Sequence, residues 1–211
     1  SEMCIRDRCV DDVIEALGSD GSVQGTDLAI AMFPFSGKGT YGSFFTGEAS
    51  VDMSNALTVF ELSDLSSREE LRSVVLTAIM FMSSQTMRRM DRQIPKALLI
   101  DEAWQMLRGG SMADFVETYS RTCRKYGASL ITATQSLNDY YKSEGSLAAL
   151  ENSDWSVILM QKPDTISDFQ KHGRFDMDPY TESLLRSLKR NGAEYSDIMI
   201  KGPDSQAVGR L

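Results

Sequence analysis

The stretch Lys96–Leu107, KALLIDEAWQML, constrains the chain more than any other. An apolar run, Ala97-Leu98-Leu99-Ile100, ends abruptly in two adjacent acids, Asp101 and Glu102. A short run that is apolar at both odd and even positions has no solvent-facing side, so it reads as a strand buried in a parallel sheet. Such a strand delivers two carboxylates to its C-terminal tip. That pair suits nucleotide hydrolysis: the first acid can hold Mg²⁺, usually through water, and the second can polarise an attacking water. The structural alternative is that Asp101 only caps the next helix, as acids at strand ends often do.

The rest of the chain alternates in the same sense. Val10–Leu17 and Thr26–Met32 read as short helices separated by Gly18–Gly25, with Thr26 as the N-cap. Pro34–Gly42 is too glycine-rich for a regular element and reads as a loop. Leu57–Leu62 (LTVFEL) is rich in apolar and β-branched residues and reads as a strand. Ser66 with Glu69, and Ser67 with Glu70, fit a capping box for a long helix reaching about Met90. Leu71, Val74, Val75, Ala78, Ile79 and Met82 would form its apolar face. After the acid-tipped strand a short helix runs to Leu107, and Gly109-Gly110 ends it. Ser111 opens another helix, striped by Phe115, Tyr119, Thr122 and Tyr126, and Gly127 stops it. Ser129–Gln135 and Trp155–Gln161 read as strands, with short helices between them. Helices run from Pro163 to about Gly173 and over Tyr180–Lys189, the latter opened by Asp178 and Pro179. Tyr195–Lys201 and Gln206–Leu211 form a terminal hairpin turning at Gly202-Pro203-Asp204-Ser205. Strands alternating with helices, with apolar inner strands, imply an α/β fold: a mostly parallel sheet with helices on both faces.

Two further residues belong with the acids. Gln135 ends the strand LITATQ, where a polar side chain can sense a terminal phosphate or orient water. Arg124 lies on the helix face turned from its own core, where it can reach a neighbouring subunit's nucleotide as an arginine finger does. Taken alone, each has a blander reading, a polar strand end and a surface charge. The loop Phe35-Ser36-Gly37-Lys38-Gly39-Thr40 imitates a phosphate loop without being one. Gly39 stands after Lys38 where Ser or Thr is required, Met32 stands five before Gly37, and no strand leads in. It reads as a connector with aromatic anchors. The only histidine, His172, ends a polar helix, so no Ser/His/Asp or Cys/His set assembles.

Composition narrows the class. The 211 residues carry a net charge of −8, which argues against a broadly basic nucleic-acid surface. Three cysteines, Cys4, Cys9 and Cys123, suit neither a zinc site nor a disulfide framework and point to a reducing compartment. The longest apolar stretch, Val74–Met82, is far short of the roughly 20 residues of a membrane span. The opening SEMCIRDR is out of character with the helical sequence beginning at Val10. Residues 1–9 are therefore read as a non-native tail and residues 10–211 as a partial domain cut at both ends.

The ordered motifs PF-x-GKGTYG-x-FFTG, LTVFEL, KALLIDEAW, RTCRKYGASLITATQSLNDY and ENSDWSVILMQ resemble the C-terminal ATPase domain of the TraC-type conjugation ATPases. These are the F-type branch of the large hexameric ATPases of type IV secretion systems. The resemblance runs from about Val10 to Leu211. It implies a RecA-like P-loop NTPase fold and an ATPase, using ATP and Mg²⁺, that powers pilus assembly and DNA or protein transfer. It implies Asp101 as the Mg²⁺-associated acid, Glu102 as the catalytic base and Gln135 as the sensor. Arg124 becomes the trans-acting finger, with Arg121 the fallback. It also implies self-assembly into a hexamer, inner-membrane secretion-channel partners, DNA as a possible ligand, and a cytoplasmic site at the bacterial inner membrane. The family's Walker A loop should lie upstream of Val10, so the stretch holds the Walker B half of the site and no phosphate-binding residues of its own. A DNA-translocating coupling protein, an FtsK/HerA-like ATPase and a scaffold subunit with a degenerate site are the alternatives.

Overall fold

The computed structural model describes residues 9–46, 51–53, 55–103 and 111–211. The chain divides into two compact units, Ser1–Leu76 and Thr77–Leu211. The expected helix to Leu107, its Gly109-Gly110 stop and most of the opening tail lie outside the described residues.

In the first unit, α1 (Val10–Ser19) and α2 (Val23–Met32) pack together. The N-cap of α2 is Ser22 rather than Thr26, because the Ser22 hydroxyl accepts the Gly25 N–H at 2.9 Å. Thr26 lies one turn inside and donates its hydroxyl back to the Ser22 carbonyl. Gly25 permits the contact between the helices: a Cβ there would lie 2.7 Å from the Leu17 carbonyl oxygen. The glycine-rich loop then folds through two 3₁₀ turns, Phe33–Phe35 and Gly42–Phe44. Phe35 anchors it, with ring centroids 5.5 Å from both Tyr41 and Phe45.

Leu57–Leu62 is not a strand. Its exposure still alternates with period two, but among the described residues it joins no ladder, and Leu57 and Val59 are 80% and 76% exposed. Composition gives a pleated preference, and a strand exists only with a partner.

Helix α3 (Glu69–Arg89) begins in the first unit and ends in the second. Leu71 is buried as expected, but farther along the buried positions are Met80, Ser83 and Met87, while Ala78 is exposed. Met87 sets that face by packing with Tyr119, Cys123 and Ala128.

The second unit holds a βαβ crossover. Strand β1 (Lys96–Ile100) runs parallel to β2 (Ala128–Thr132), with Lys96 opposite Ala128 and Ile100 opposite Thr132. Between them, α4 (Ser111–Thr122) ends in a 3₁₀ turn, Cys123–Tyr126, and the left-handed Gly127. A Cβ at Gly127 would meet the Arg92 carbonyl oxygen at 2.1 Å, so the chain can enter β2 there only through glycine. The buried stripe of α4 is Ala113, Val116 and Tyr119, continued by Cys123; of the predicted stripe, Tyr119 is buried, Phe115 and Tyr126 are partly buried against the same clusters, and Thr122 is not among the buried residues. It covers one face of the strand pair, where Ile100 and Leu98 pack with Val116, Tyr140 and Ala149. The opposite face is open, with Leu99 63% and Ile131 47% exposed.

Helix α5 (Glu144–Glu151) leads to β3 (Ser156–Leu159), then α6 (Pro163–His172) and α7 (Pro179–Ser187). Asp178 caps α7 by accepting the Thr181 N–H at 2.6 Å, with Pro179 at the first-turn position. The chain closes with β4 (Arg190–Asn191), β5 (Tyr195–Lys201) and β6 (Gln206–Arg210). Ile158, Ile166, Leu185, Leu188 and Met199 form their core, each buried side chain contributing about 1.5–3 kcal/mol.

This second sheet corrects the expectation of a mostly parallel sheet with helices on both faces. β3, β4 and β6 all pair with β5 and all antiparallel, so β1–β2 is the one parallel ladder among the described residues. The short turns between β4 and β5 and between β5 and β6 enforce that direction. Among the described residues β2 and β3 share no ladder. The outer face of β3 is uncovered like that of β1 and β2, with Val157 60% and Leu159 51% exposed.

Candidate active site at the tip of the parallel strands

Pairing of β1 and β2 continues past the regular ladder. Ala133 N–H donates to the Ile100 carbonyl and Ala103 N–H to the Ala133 carbonyl, both at 2.9 Å. The two acids between Ile100 and Ala103 are therefore thrown out as a tight turn. Glu102 adopts φ 50°, a left-handed conformation that costs a non-glycine residue about 1–2 kcal/mol. Its amide donates to Asp101 Oδ1 at 2.8 Å, which holds the turn closed. From the neighbouring strand's extension, Gln135 Nε2 donates to Glu102 Oε1 at 2.8 Å. Three predicted site residues, Asp101, Glu102 and Gln135, thus meet at one strand tip.

A residue without a sequence motif supports them. The Tyr140 hydroxyl donates to the Thr132 carbonyl at 3.1 Å and lies 2.7 Å from Thr132 Oγ1. Its ring is buried with Ile100 and Val116, and that burial pushes the phenol above its ordinary range. Tyr140 fixes the end of β2, and so the direction in which Ala133–Gln135 leave it. The pattern LNDYY offers no periodicity to single it out.

Arg124 is not part of this constellation. It sits exposed in the turn before β2, at the strand end opposite the acids. Five strand residues span about 17 Å, so a site within this one chain would not include it. Arg121 is committed to Glu117 at 2.9 Å, whereas Arg124 has no ion pair among the described residues. Close by, Arg88 and Lys125 lie over the Tyr126 ring at 5.9 and 5.8 Å. The parallel pair is therefore acidic at one end and basic at the other.

The strand tip fits a hard cation. Asp101 is exposed, and Oδ1 is occupied by the Glu102 amide, which leaves Oδ2 for a metal or its water. Mg²⁺ is commonly held by one or two carboxylates together with substrate phosphates, so a single presented oxygen suffices. The glycine-rich loop offers no comparable cradle. Its Gly37 amide is taken by the Asp11 carboxylate at 3.0 Å, and the Gly39 and Gly42 amides by loop carbonyls. His172 ends α6 beside Asp168 at 3.1 Å. A cavity of about 340 Å³ opens along α3 and α4, lined by Met80, Phe81, Arg88 and Phe115 among others, and includes none of the strand-tip residues.

Adjacent acids at the tip of β1, with a glutamine beyond the end of β2, are compatible with the α/β P-loop NTPase fold, and the matches to known proteins support that fold. The chain belongs to the TraG P-loop domain family, whose model matches residues 18–207. Protein TraC of Escherichia coli (strain K12) is 28% identical over 173 residues, covering 79% of this chain and 19% of TraC. The resemblance to TraC-type proteins drawn from the motifs is borne out by that match. The structure of VirB4 of Thermoanaerobacter pseudethanolicus shares the fold, with a TM-score of 0.68 at 19% identity over 94% of this chain and 53% of that one. The chain thus spans about a fifth of TraC and about half of the VirB4 chain.

Proposed function

We propose that this chain is the hydrolytic half of the ATPase domain of a conjugative type IV secretion motor, which hydrolyses ATP to drive pilus assembly and transfer of DNA or protein. The observation that carries the proposal is the meeting of Asp101, Glu102 and Gln135 at one strand tip through the 2.8 Å bonds. Glu102 takes the proton of the attacking water, and its place at the tip of an open strand end lets water approach. Asp101 presents one oxygen to Mg²⁺, which when bound neutralises charge on the phosphates. Gln135 stands on the next strand, where a terminal phosphate is within reach of its amide. Arg124, at the opposite end of the strands, acts on the site of a neighbouring subunit in a ring, for which six copies is the family's number. Such a motor works from the cytoplasm against inner-membrane channel proteins. Among the described residues no helix is long and apolar enough to cross a membrane.

The phosphate cradle in this reading is a Walker A loop supplied by chain preceding Val10. Its strand would lie between β2 and β3, which share no ladder among the described residues, and its neighbours would cover the apolar faces of Leu99, Ile131, Val157 and Leu159. This separates two preparations. Full-length protein containing the chain is expected to hydrolyse ATP at an ordinary enzyme rate. The 211-residue chain alone is expected to aggregate through those faces and to hydrolyse none. Size-exclusion chromatography with a phosphate-release assay checks both. A monodisperse isolated chain that turned over ATP would refute the missing-cradle reading.

A further inference from the structure

We infer that the end of the β1–β2 pair remote from the acids is a lipid-facing surface. Arg88, Arg89, Arg92 and Lys125 meet the headgroups of an anionic bilayer, and Met90 and Ile94 enter its interfacial layer. The inference deepens the inner-membrane reading and rests on it for the compartment, since that reading names protein partners and no lipid. The four cations are exposed, and none has an ion pair among the described residues, whereas Arg121, Arg174, Arg186 and Arg210 each have one. Asp91, the only acid in residues 88–96, turns its carboxylate to the Gln93 amide at 2.9 Å. In a chain of net charge −8, such a gathering of unanswered cations is not a product of composition. The fold brings them together: Arg88 and Lys125 lie over the Tyr126 ring at 5.9 and 5.8 Å, and the Arg92 carbonyl closes on Gly127 beside it. Charge alone would suit any polyanion, so the aliphatic side chains decide. Met90 and Ile94 stand 38% and 49% exposed among the arginines, and cations interleaved with exposed apolar groups are what contact with a membrane interface needs. A phosphate backbone has no use for them. Single-stranded nucleic acid needs an aromatic face free for a base, whereas Tyr126 is partly buried and already carries two cations. Arg124, on the same turn, is left to the neighbouring subunit's site.

The test is flotation of the full-length protein, with no other protein present, on vesicles of phosphatidylcholine with and without phosphatidylglycerol. Binding is expected to the anionic vesicles only. Each Lys or Arg at such a surface contributes about five-fold, so Arg88→Gln, Arg89→Gln and Arg92→Gln together should weaken binding about 10²-fold. Met90→Ser with Ile94→Ser leaves the charge intact and should weaken it about ten-fold. All five positions are exposed, so the substitutions leave the core in place, which thermal melts check. Equal flotation on neutral vesicles, or flotation unmoved by the arginine substitutions, would overturn the inference. So would an oligonucleotide bound instead of the vesicles, through the arginines and indifferent to Met90 and Ile94, which would make the patch a nucleic-acid surface. A protein that floats without hydrolysing ATP fails the ATPase reading alone, and one that hydrolyses ATP without floating fails this inference alone.

Discussion

Glu102→Gln in the full-length protein is expected to keep ATP bound while turnover falls about 10²–10⁴-fold. The substitution preserves shape and the ability to accept the Gln135 N–H at the position now 2.8 Å away, so the strand tip stays assembled. What disappears is the basic oxygen that takes the proton from water. The neighbouring Asp101 keeps its own carboxylate, and its bond from the residue-102 amide does not involve the side chain. Nucleotide affinity should therefore change little. Fluorescent-nucleotide titration beside steady-state hydrolysis separates the two effects. Turnover near the wild-type rate would remove Glu102 from its role, and lost binding would show that it shapes the pocket instead.

Arg124→Ala is expected to cost about 10³–10⁵-fold in turnover, and only in assembled rings. The reason is position: Arg124 stands about five strand residues from the acids of its own chain, with no ion pair among the described residues to hold it there. In the proposed ring its charge would serve a site that another subunit brings to it. Mixing offers the sharpest readout. A ring of Arg124→Ala and Glu102→Gln subunits contains sites in which an intact Glu102 faces a neighbour's intact Arg124. Those sites should recover activity that neither variant has alone. Absence of recovery in every mixture, with mixed rings demonstrated, would speak for a role within the subunit. Arg121, paired with Glu117, should tolerate alanine far better.

The strand tip is legible in the sequence because its signal is local. A short apolar run can only end where its polar residues begin, so Asp101 and Glu102 must lie at the end of β1. Gln135 is legible by the same logic, although the ladder of β2 stops at Thr132 and Tyr140 carries the direction onward. The left-handed turn at Glu102 is not legible. Nothing in DEAW demands φ 50°, which arises from Ala103 bonding to β2 while both acids are excluded from the ladder. The sheet escapes a sequence reading where its pairing is non-local. LTVFEL has strand composition without a partner among the described residues, and β3 pairs with a hairpin far along the chain rather than with β2. The α3 stripe departs from expectation for a related reason. The helix's many apolar residues allow more than one face, and Met87 selects it by meeting Tyr119 and Ala128. The glycine-rich loop is legible as a connector, because motif spacing excludes a phosphate loop before any geometry is known.

The most direct measurement is a structure of the full-length protein with Mg²⁺ and a non-hydrolysable ATP analogue. The terminal phosphate is expected beside Glu102 and Gln135, with the metal on the Asp101 side and the phosphate chain running toward residues that precede Val10. Nucleotide bound at the Pro34–Gly42 loop, or phosphates remote from the β1 tip, would contradict the assignment of this strand pair as the hydrolytic half of the site.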